Sequence, residues 1–394
     1  MAEPDPDRGI PGKGRILKRE KAEKRFTMRE RPGMTEMQNG KETGRLGGRK
    51  KQGMEMETGN RLKDLVKGKR VLYIATKNLD YLRIRQEINF IRENGGSVTI
   101  LGSTAKSYPA RLKTVLPGLF RTGKNDFDVI FIGFLPQIVL PFFSFLFRGK
   151  VVIIDFFISL YDTLVFDRQR FRPGGLPGGF LRWVDKAALR RADHVIVDTR
   201  TDGEYFIREL DAAPDKVEVL YLEADTSIYY PRRIPKPPRF RDRFVVLYFG
   251  SILPLQGVET IVEAANMLKD RPELSFLLIG PVGGELKDRS ASANIEFIDW
   301  LDQEKLAETI ATADLCLAGH FNDRIDKAKR TIAGKTYIYR AMEKPVILGD
   351  NAANRELYEE DGRTVFYTGM GDPSALRDTI LRAWRVLSGE GNRQ

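Results

Sequence analysis

The sequence predicts an α/β protein made of two open, parallel-sheet domains in tandem, preceded by a basic tail. Three observations carry this. Apolar runs of strand length recur without polar alternation, the pattern of strands buried on both faces. Segments of helix length or longer separate them, as crossovers between parallel strands require. The alternation then stops at "YPRRIPKPPRFRDR" (230–243) and restarts beyond it, which marks an interdomain linker.

From Arg70 onward "RVLYIAT" is a strand, "YLRIRQEINFIREN" carries apolar residues at helical spacing, and "GGSVTILG" is a glycine turn leading into a strand. "FDVIFIGF", "KVVIIDFF" and "ADHVIVDT" follow as further buried strands. After the linker come "FVVLYFG", the helix "VETIVEAANML", "LSFLLIG", "IEFIDW" and the helix "EKLAETIATA". "DLCLAGH", "KTYIYRAM", "KPVILGD" and "TVFYTG" continue the pattern, and "PSALRDTILRAWRVLSG" closes it as a helix. The expected boundaries are a disordered tail over 1–66, a first domain over 67–232, a linker over 233–243, a second domain over 244–388 and a short tail to 394. Ligands of open α/β sheets bind at the carboxyl ends of the strands, so the cleft between the two sheets is the expected site.

Composition narrows the chemistry. With one cysteine (Cys316) the chain has no internal disulfide, which fits a reducing, cytoplasmic compartment. Two histidines (His194, His320) and that cysteine do not make a zinc site, and no metal is expected. A Cys316–His320 nucleophilic pair is disfavoured because "DLCLAGH" reads as a buried strand. The net charge is +11, and residues 1–65 hold 17 Lys/Arg against 11 Asp/Glu without a Trp or Tyr. This stretch reads as a solvated tail, or as sequence ahead of a true start at Met54 or Met56, before it reads as a lipid- or nucleic-acid-binding arm. It lacks the apolar core of a secretory signal. The uncharged run Val129–Phe147 is long enough to span a bilayer, but Pro136, Pro141 and the strand-like ending at Gly133 favour a strand followed by an apolar helix. If that helix is exposed, "FFSFLF" followed by Arg148 and Lys150 would make a peripheral membrane contact.

The segments "YFGSILPLQGVETIVEAANML", "LSFLLIGPVG", "NIEFIDWLDQEKLAETIATADLCLAG" and "GKTYIYRAMEKPVILGDNAANRELYEEDG" together resemble the donor half of GT-B glycosyltransferases. The nearest group is the retaining glycosyl transferases group 1, a family-4-like set. The first half, through "VVIIDFFISLYDTLVFDR" and "ADHVIVDT", resembles the acceptor half of one branch more weakly. The resemblance implies two Rossmann-like domains facing a cleft and transfer of a sugar from a nucleotide-sugar donor to a glycan or lipid-linked acceptor. It implies a retaining, metal-independent hexosyltransferase of polysaccharide biosynthesis, with the nucleotide-sugar as substrate and no cofactor.

Such chemistry needs N–H dipoles or cations at the diphosphate and a hydrogen-bond acceptor at the ribose. The resemblance places Gly250, Ser251, Gln256 and Gly257 at the phosphates, but Ser251 and Gln256 stand where the family carries cations. Its paired glutamates fall on Arg330 and Ile338. Lys335, ahead of a helix, and Arg330, in the positive stretch "DKAKR" with Lys327 and Lys329, are the expected compensating charges. Glu356 is the candidate for the ribose or the sugar, unless it is an exposed helix-start glutamate. In the first domain Asp155 and Asp162 are the candidate catalytic carboxylates for an acceptor hydroxyl, with Ser159 between them, although a cap or loop-bracing role is the alternative. Arg83 and Arg85 are expected either to bind phosphate or to pair with Glu87. The four departures leave open a catalytically silent scaffold that binds a partner or glycan.

Overall fold

The computed structural model describes residues 59–389 apart from 106, 123–126 and 291–293, so nearly all of the expected tail lies outside the described residues. The first described element, α1 (Asn60–Val66), corrects the expected tail boundary. Leu62 and Val66 are buried in the core of the first domain. Glu218 accepts from the main-chain N–H groups of Arg61 and Leu62, both at 3.0 Å, which satisfies donors that a helix start leaves unpaired.

The first domain contains β1 (Arg70–Asn78), β2 (Ser97–Ser103), β3 (Val129–Gly133), β4 (Val151–Asp155), β5 (His194–Val197) and β6 (Val217–Val219), all parallel, in the order β2-β1-β3-β4-β5-β6. Its helices are α2 (Leu82–Glu93), α3 (Tyr108–Arg121), α4 (Pro136–Phe143), α5 (Leu176–Arg191) and α6 (Arg200–Leu210). Successive strand residues face opposite cores: Leu72, Ile130, Ile132 and Ile154 pack on one side, Val71, Tyr73, Phe131 and Ile153 on the other. This two-sided burial is why the strands read as unbroken apolar runs. Phe131→Ala would cost roughly 3–5 kcal/mol on that account.

The second domain contains β7 (Phe244–Phe249), β8 (Leu274–Ile279), β9 (Ile295–Ile298), β10 (Leu315–Gly319), β11 (Val346–Gly349) and β12 (Val365–Thr368), parallel and ordered β12-β11-β10-β7-β8-β9. Its helices are α7 (Val258–Asn266), α8 (Gly284–Asp288), α9 (Gln303–Thr312), α10 (Asp326–Arg330), α11 (Gly334–Ala341) and α12 (Pro373–Ser388). The strand order reverses between β7 and β10, and in the first sheet between β1 and β3; these switch points are where open α/β sheets bind ligands. The linker lies against the second domain, with Phe240 buried in its core and Lys236 paired with Asp314 at 2.5 Å; Tyr229, just ahead of the expected linker, is buried in the same core.

Val129–Phe147 divides into β3, α4 and a 3₁₀ turn, Ser144–Phe147. Among the described residues no helix is long and apolar enough to cross a membrane.

Candidate active site in the interdomain cleft

The second domain builds its half of the cleft from glycines. The neighbouring strands β8, β7 and β10 run into Gly280, Gly250 and Gly319, at φ 151°, 145° and 71°. These are backbone conformations that only glycine adopts readily. A Cβ on Gly280 would lie 2.1 Å from the Gly250 carbonyl oxygen, and one on Gly250 would lie 3.0 Å from Lys335 Cε. Lys335 is the second residue of α11 rather than a loop residue ahead of it. Its buried Nζ donates to Gln256 Oε1 and lies 4.8 Å from the centre of the Tyr248 ring. Burial brings its pKa down to about 7. The sequence-predicted Gly250, Gln256 and Lys335 therefore meet at one point.

Gly257 has a different task. A Cβ there would stand 2.7 Å from the main-chain carbon of Phe321, so this glycine lets the loop pack against the end of β10. Ser251 is exposed, and its carbonyl accepts from Tyr248 OH at 3.4 Å. His320, weighed in the sequence only as a partner for Cys316, is buried beside this group, with Nδ1 3.4 Å from Thr331 Oγ1. Burial and the neighbouring Lys335 push its pKa down to about 3, so the ring is neutral. Burial pushes the Cys316 thiol up, which leaves it unreactive.

Arg330 and Asp162 were expected on opposite sides of the cleft, and they are in contact. Asp162 opens a π-type turn (Asp162–Asp167), and both its oxygens lie 3.0 Å from Arg330 Nη2. Arg330 Nη1 donates to Asp202, and the guanidinium carbon sits 3.5 Å from the Tyr205 ring centre. Burial works against the Arg330 charge, yet Asp202 and Asp162 hold its pKa above the ordinary arginine value. Two acids of the first domain thus engage the cation expected at a donor phosphate, burial pushing the Asp202 carboxyl up to about 8 against the pull of Arg330. Lys327, on the same helix, donates to Thr163 Oγ1 at 3.1 Å.

Glu356 also reaches across. It lies in a 3₁₀ turn (Asn354–Glu356) and accepts from the N–H groups of Arg200 and Thr201, each at 2.7 Å, and from Tyr221 OH at 2.9 Å. A carboxylate from one domain therefore caps the first turn of α6 in the other.

Arg83 is buried, with Nη2 3.1 Å from Asp155 Oδ1, Nε 3.0 Å from Glu87 Oε1 and Nη1 donating to the Leu220 carbonyl at 2.5 Å. Burial and Asp155 push the Glu87 carboxyl well above its usual range, and Glu87 accepts from Tyr73 OH. Arg85 points elsewhere, pairing with Asp225 at 3.0 Å. Ser159 donates to Asp185 at 2.7 Å and accepts from the N–H of Asp162 at 2.9 Å, so it braces the start of the π-type turn.

Two features were missed. Asp198 follows β5 as Asp155 ends β4, and its Oδ1 is buried without a hydrogen-bond partner among the described residues. Burial pushes this carboxyl up to about 6 against the pull of Arg83 and Lys327. Its place at a strand's carboxyl end was the available signal. The second is an aromatic group at the β1/β3 switch point: Tyr81 and Phe157 lie 5.7 and 5.6 Å from Phe134, and Lys77 Nζ lies 5.2 Å from the same ring. Phe134 and Leu135 hold φ of 68° and 52°, a strained pair that Thr76 Oγ1 stabilises by donating to the Phe134 carbonyl at 2.6 Å. No residue pattern announces that.

Asp162 and Arg330 also line a cavity of about 720 Å³ between the domains, walled by Tyr161, Phe166, Arg182, Arg208, Arg324 and Lys329. The strand-end glycines and Lys335 lie outside it.

Two Rossmann-like sheets meeting at their switch points define the class: this is a GT-B fold. Residues 243–385 match the family model described as Glycosyl transferases group 1. The chain thus has the GT-B fold, and its second domain is similar to the group 1 glycosyl transferases. Among solved structures it is similar to a sucrose-phosphate synthase from Thermosynechococcus elongatus (TM-score 0.61, 16% identity, 82% of this chain and 93% of that one). It is also similar to Anabaena HepE in complex with UDP and glucose (TM-score 0.54, 14% identity, 82% and 91%). A D-inositol 3-phosphate glycosyltransferase from Streptomyces scabiei is 24% identical over 208 residues, 48% of this chain and 45% of that protein. The match thus spans less than half of that curated relative.

Proposed function

We propose that the protein transfers a hexose from a nucleoside-diphosphate sugar, held by the second domain, to an acceptor held by the first. The observation that carries this reading is the ring of strand-end glycines around buried Lys335. Backbone without side chains admits a diphosphate closely, and an ammonium with a pKa near 7 takes up its full charge when an anion arrives. The first turn of α11 adds N–H dipoles. In a retaining transfer the sugar's anomeric C–O bond to the diphosphate breaks, the acceptor oxygen bonds to the same face, and the acceptor proton leaves with the diphosphate. Lys335 and the α11 amides would stabilise the departing charge without a metal.

The UDP and glucose bound in the HepE neighbour support a UDP-hexose as the first donor to test. On the acceptor side, Arg182 and Arg208 of the first domain, with Arg324 and Lys329 of the second, outnumber the acids Asp162, Glu209 and Asp326 in the wall of one cavity. With relatives named for D-inositol 3-phosphate, this favours a phosphate-bearing acceptor. Asp198 has a free oxygen to receive an acceptor hydroxyl, and Asp155 and Asp162 act in this reading through the cations they hold.

Titration calorimetry with UDP, GDP and their sugars is the test, with release of nucleoside diphosphate as the turnover readout. Binding that Lys335→Ala weakens more than about tenfold supports the reading. Binding without turnover toward any acceptor would favour the silent scaffold, and no binding by folded protein would end the transferase reading.

A further inference from the structure

The first domain carries an apolar face that no other described residue covers. On α5, Leu176, Phe180 and Trp183 stand at i, i+4 and i+7, one stripe of the helix, and are 94%, 55% and 44% exposed. A stripe at this spacing normally turns inward, and here the inward positions are filled separately by Val184, Ala187 and Ala188. The stripe continues onto the next element. The Trp183 ring lies 5.8 Å from Phe180 and 6.1 Å from Phe142 of α4, and Phe142 and Phe145 are half exposed. An exposed contiguous aromatic patch of this kind marks an interaction surface.

Charge identifies what covers it. From Phe134 to Val184 the chain carries six cations (Arg148, Lys150, Arg168, Arg170, Arg172, Arg182) and three acids (Asp155, Asp162, Asp167). All three acids are buried, so every solvent-facing charge of this segment is positive. Arg168, Arg170 and Arg172 lie on the loop that leads directly into Leu176. Glu209 and Asp211 of the neighbouring helix end stand beside Arg182 and Lys186. Bulky apolar side chains on a segment whose exposed charges are all Lys and Arg nonetheless suit an anionic bilayer, where rings enter the acyl boundary and cations meet the headgroups.

We propose that this face, formed by α4, the 3₁₀ turn after it, the 168–175 loop and α5, docks on the surface of an anionic membrane. The sequence pointed only to the α4 segment; the α5 stripe and the arginine loop complete the surface. Phe166 and Arg182 border both this face and the interdomain cavity, so docking would bring a lipid-linked acceptor to the cavity mouth. That last consequence rests on the transfer reading, whereas docking does not.

Sedimentation of the full chain with phosphatidylglycerol–phosphatidylcholine vesicles, against phosphatidylcholine alone, tests it. The expected result is salt-sensitive partition into the anionic vesicles. Leu176→Ser with Phe180→Ser should reduce it at least about tenfold, with thermal midpoint and UDP affinity unchanged. The basic 1–58 segment is the same in both proteins, so the difference reports on this face. Arg168, Arg170 and Arg172 changed together to Gln should weaken partition into anionic vesicles. The proposal is overturned if wild type ignores anionic vesicles or if the double variant partitions like wild type. It is equally overturned if wild type is a dimer that the variant disperses, since a second copy would then cover the face. The UDP titration on the same samples separates this outcome from failure of the transfer reading.

Discussion

Arg330 Nη2 lies 3.0 Å from both carboxylate oxygens of Asp162, a fork joining two residues 168 positions apart and in different domains. Asp202 takes the other Nη, so one guanidinium holds two buried acids of the opposite domain. Removing one member leaves uncompensated charge in a dry interface, at about 3–5 kcal/mol. Arg330→Met should therefore lower the urea midpoint and raise the radius of gyration in solution scattering as the domains part. Arg330→Lys should not rescue it, because an ammonium cannot present the planar fork. A wild-type midpoint in Arg330→Met would show the bridge to be incidental.

Glu356 couples the domains by a second route, capping α6 from outside its own domain. Glu356→Gln keeps the shape but loses the charge at the helix start, for an expected cost of about 1–2 kcal/mol. Tyr221→Phe removes one of four donors to the same carboxylate, the others being the Arg200 and Thr201 amides and the Thr201 hydroxyl, so the two changes should be less than additive in a thermal-unfolding cycle. Amide exchange at Arg200 and Thr201 should accelerate in Glu356→Gln, while the β7–β8 ladder keeps its protection.

These two bridges show what a sequence reading reaches. The strands were legible because two-sided burial writes itself as unbroken apolar runs; β6 was not, since Val217–Val219 is too short to make one. Gly250 and Lys335 could be placed together because a strand–turn–helix fixes local geometry. Arg330 and Glu356 were legible as charged residues near the cleft, but their partners lie 128 to 168 residues away and follow only from how the domains close. Asp198 escaped because an acid at a strand's end looks the same whether paired or free.

Lys335 gives a pH signature. Its pKa falls from the ordinary lysine value to about 7 on folding, so between pH 7 and about 10.4 the unfolded chain binds the additional proton. This group's contribution to stability thus rises with pH through that window and is least favourable below pH 7. Lys335→Met should remove that slope from the urea midpoint. Diphosphate binding reverses the preference, so UDP should bind with proton uptake at pH 7 and more weakly toward pH 9. Calorimetry in buffers of different ionisation enthalpy reads the uptake; zero uptake would place the diphosphate away from Lys335.

Gly280 and Gly283 form a matched pair. At Gly280 a Cβ would meet the Gly250 carbonyl at 2.1 Å with φ at 151°, whereas at Gly283 nothing lies within 4 Å and φ is −65°. Gly280→Ala should lower the stability of the second domain by more than the ~1 kcal/mol cost of an ordinary glycine replacement and should weaken UDP binding with it. Gly283→Ala should be neutral or stabilising by about 0.4–1 kcal/mol. Equal midpoints for the two variants would mean that the backbones at Gly250 and Gly280 are free to separate.

Asp198 separates stability from function. Its folded pKa of about 6 stands above the unfolded value near 3.9, so the folded protein holds the additional proton between these values. This group's contribution therefore falls as pH rises through about 4 to 6, and at pH 7 a buried carboxylate with an unpartnered oxygen opposes folding. Asp198→Asn removes the charge at nearly constant shape and should raise the thermal midpoint at pH 7 but not at pH 4. If Asp198 receives the acceptor hydroxyl, the same variant should keep UDP affinity and lose transfer by about 10²-fold or more. A variant stabilised at pH 7 with full transfer would assign Asp198 no part in the chemistry. One destabilised at pH 7 would mean that Arg83 and Lys327 need its charge.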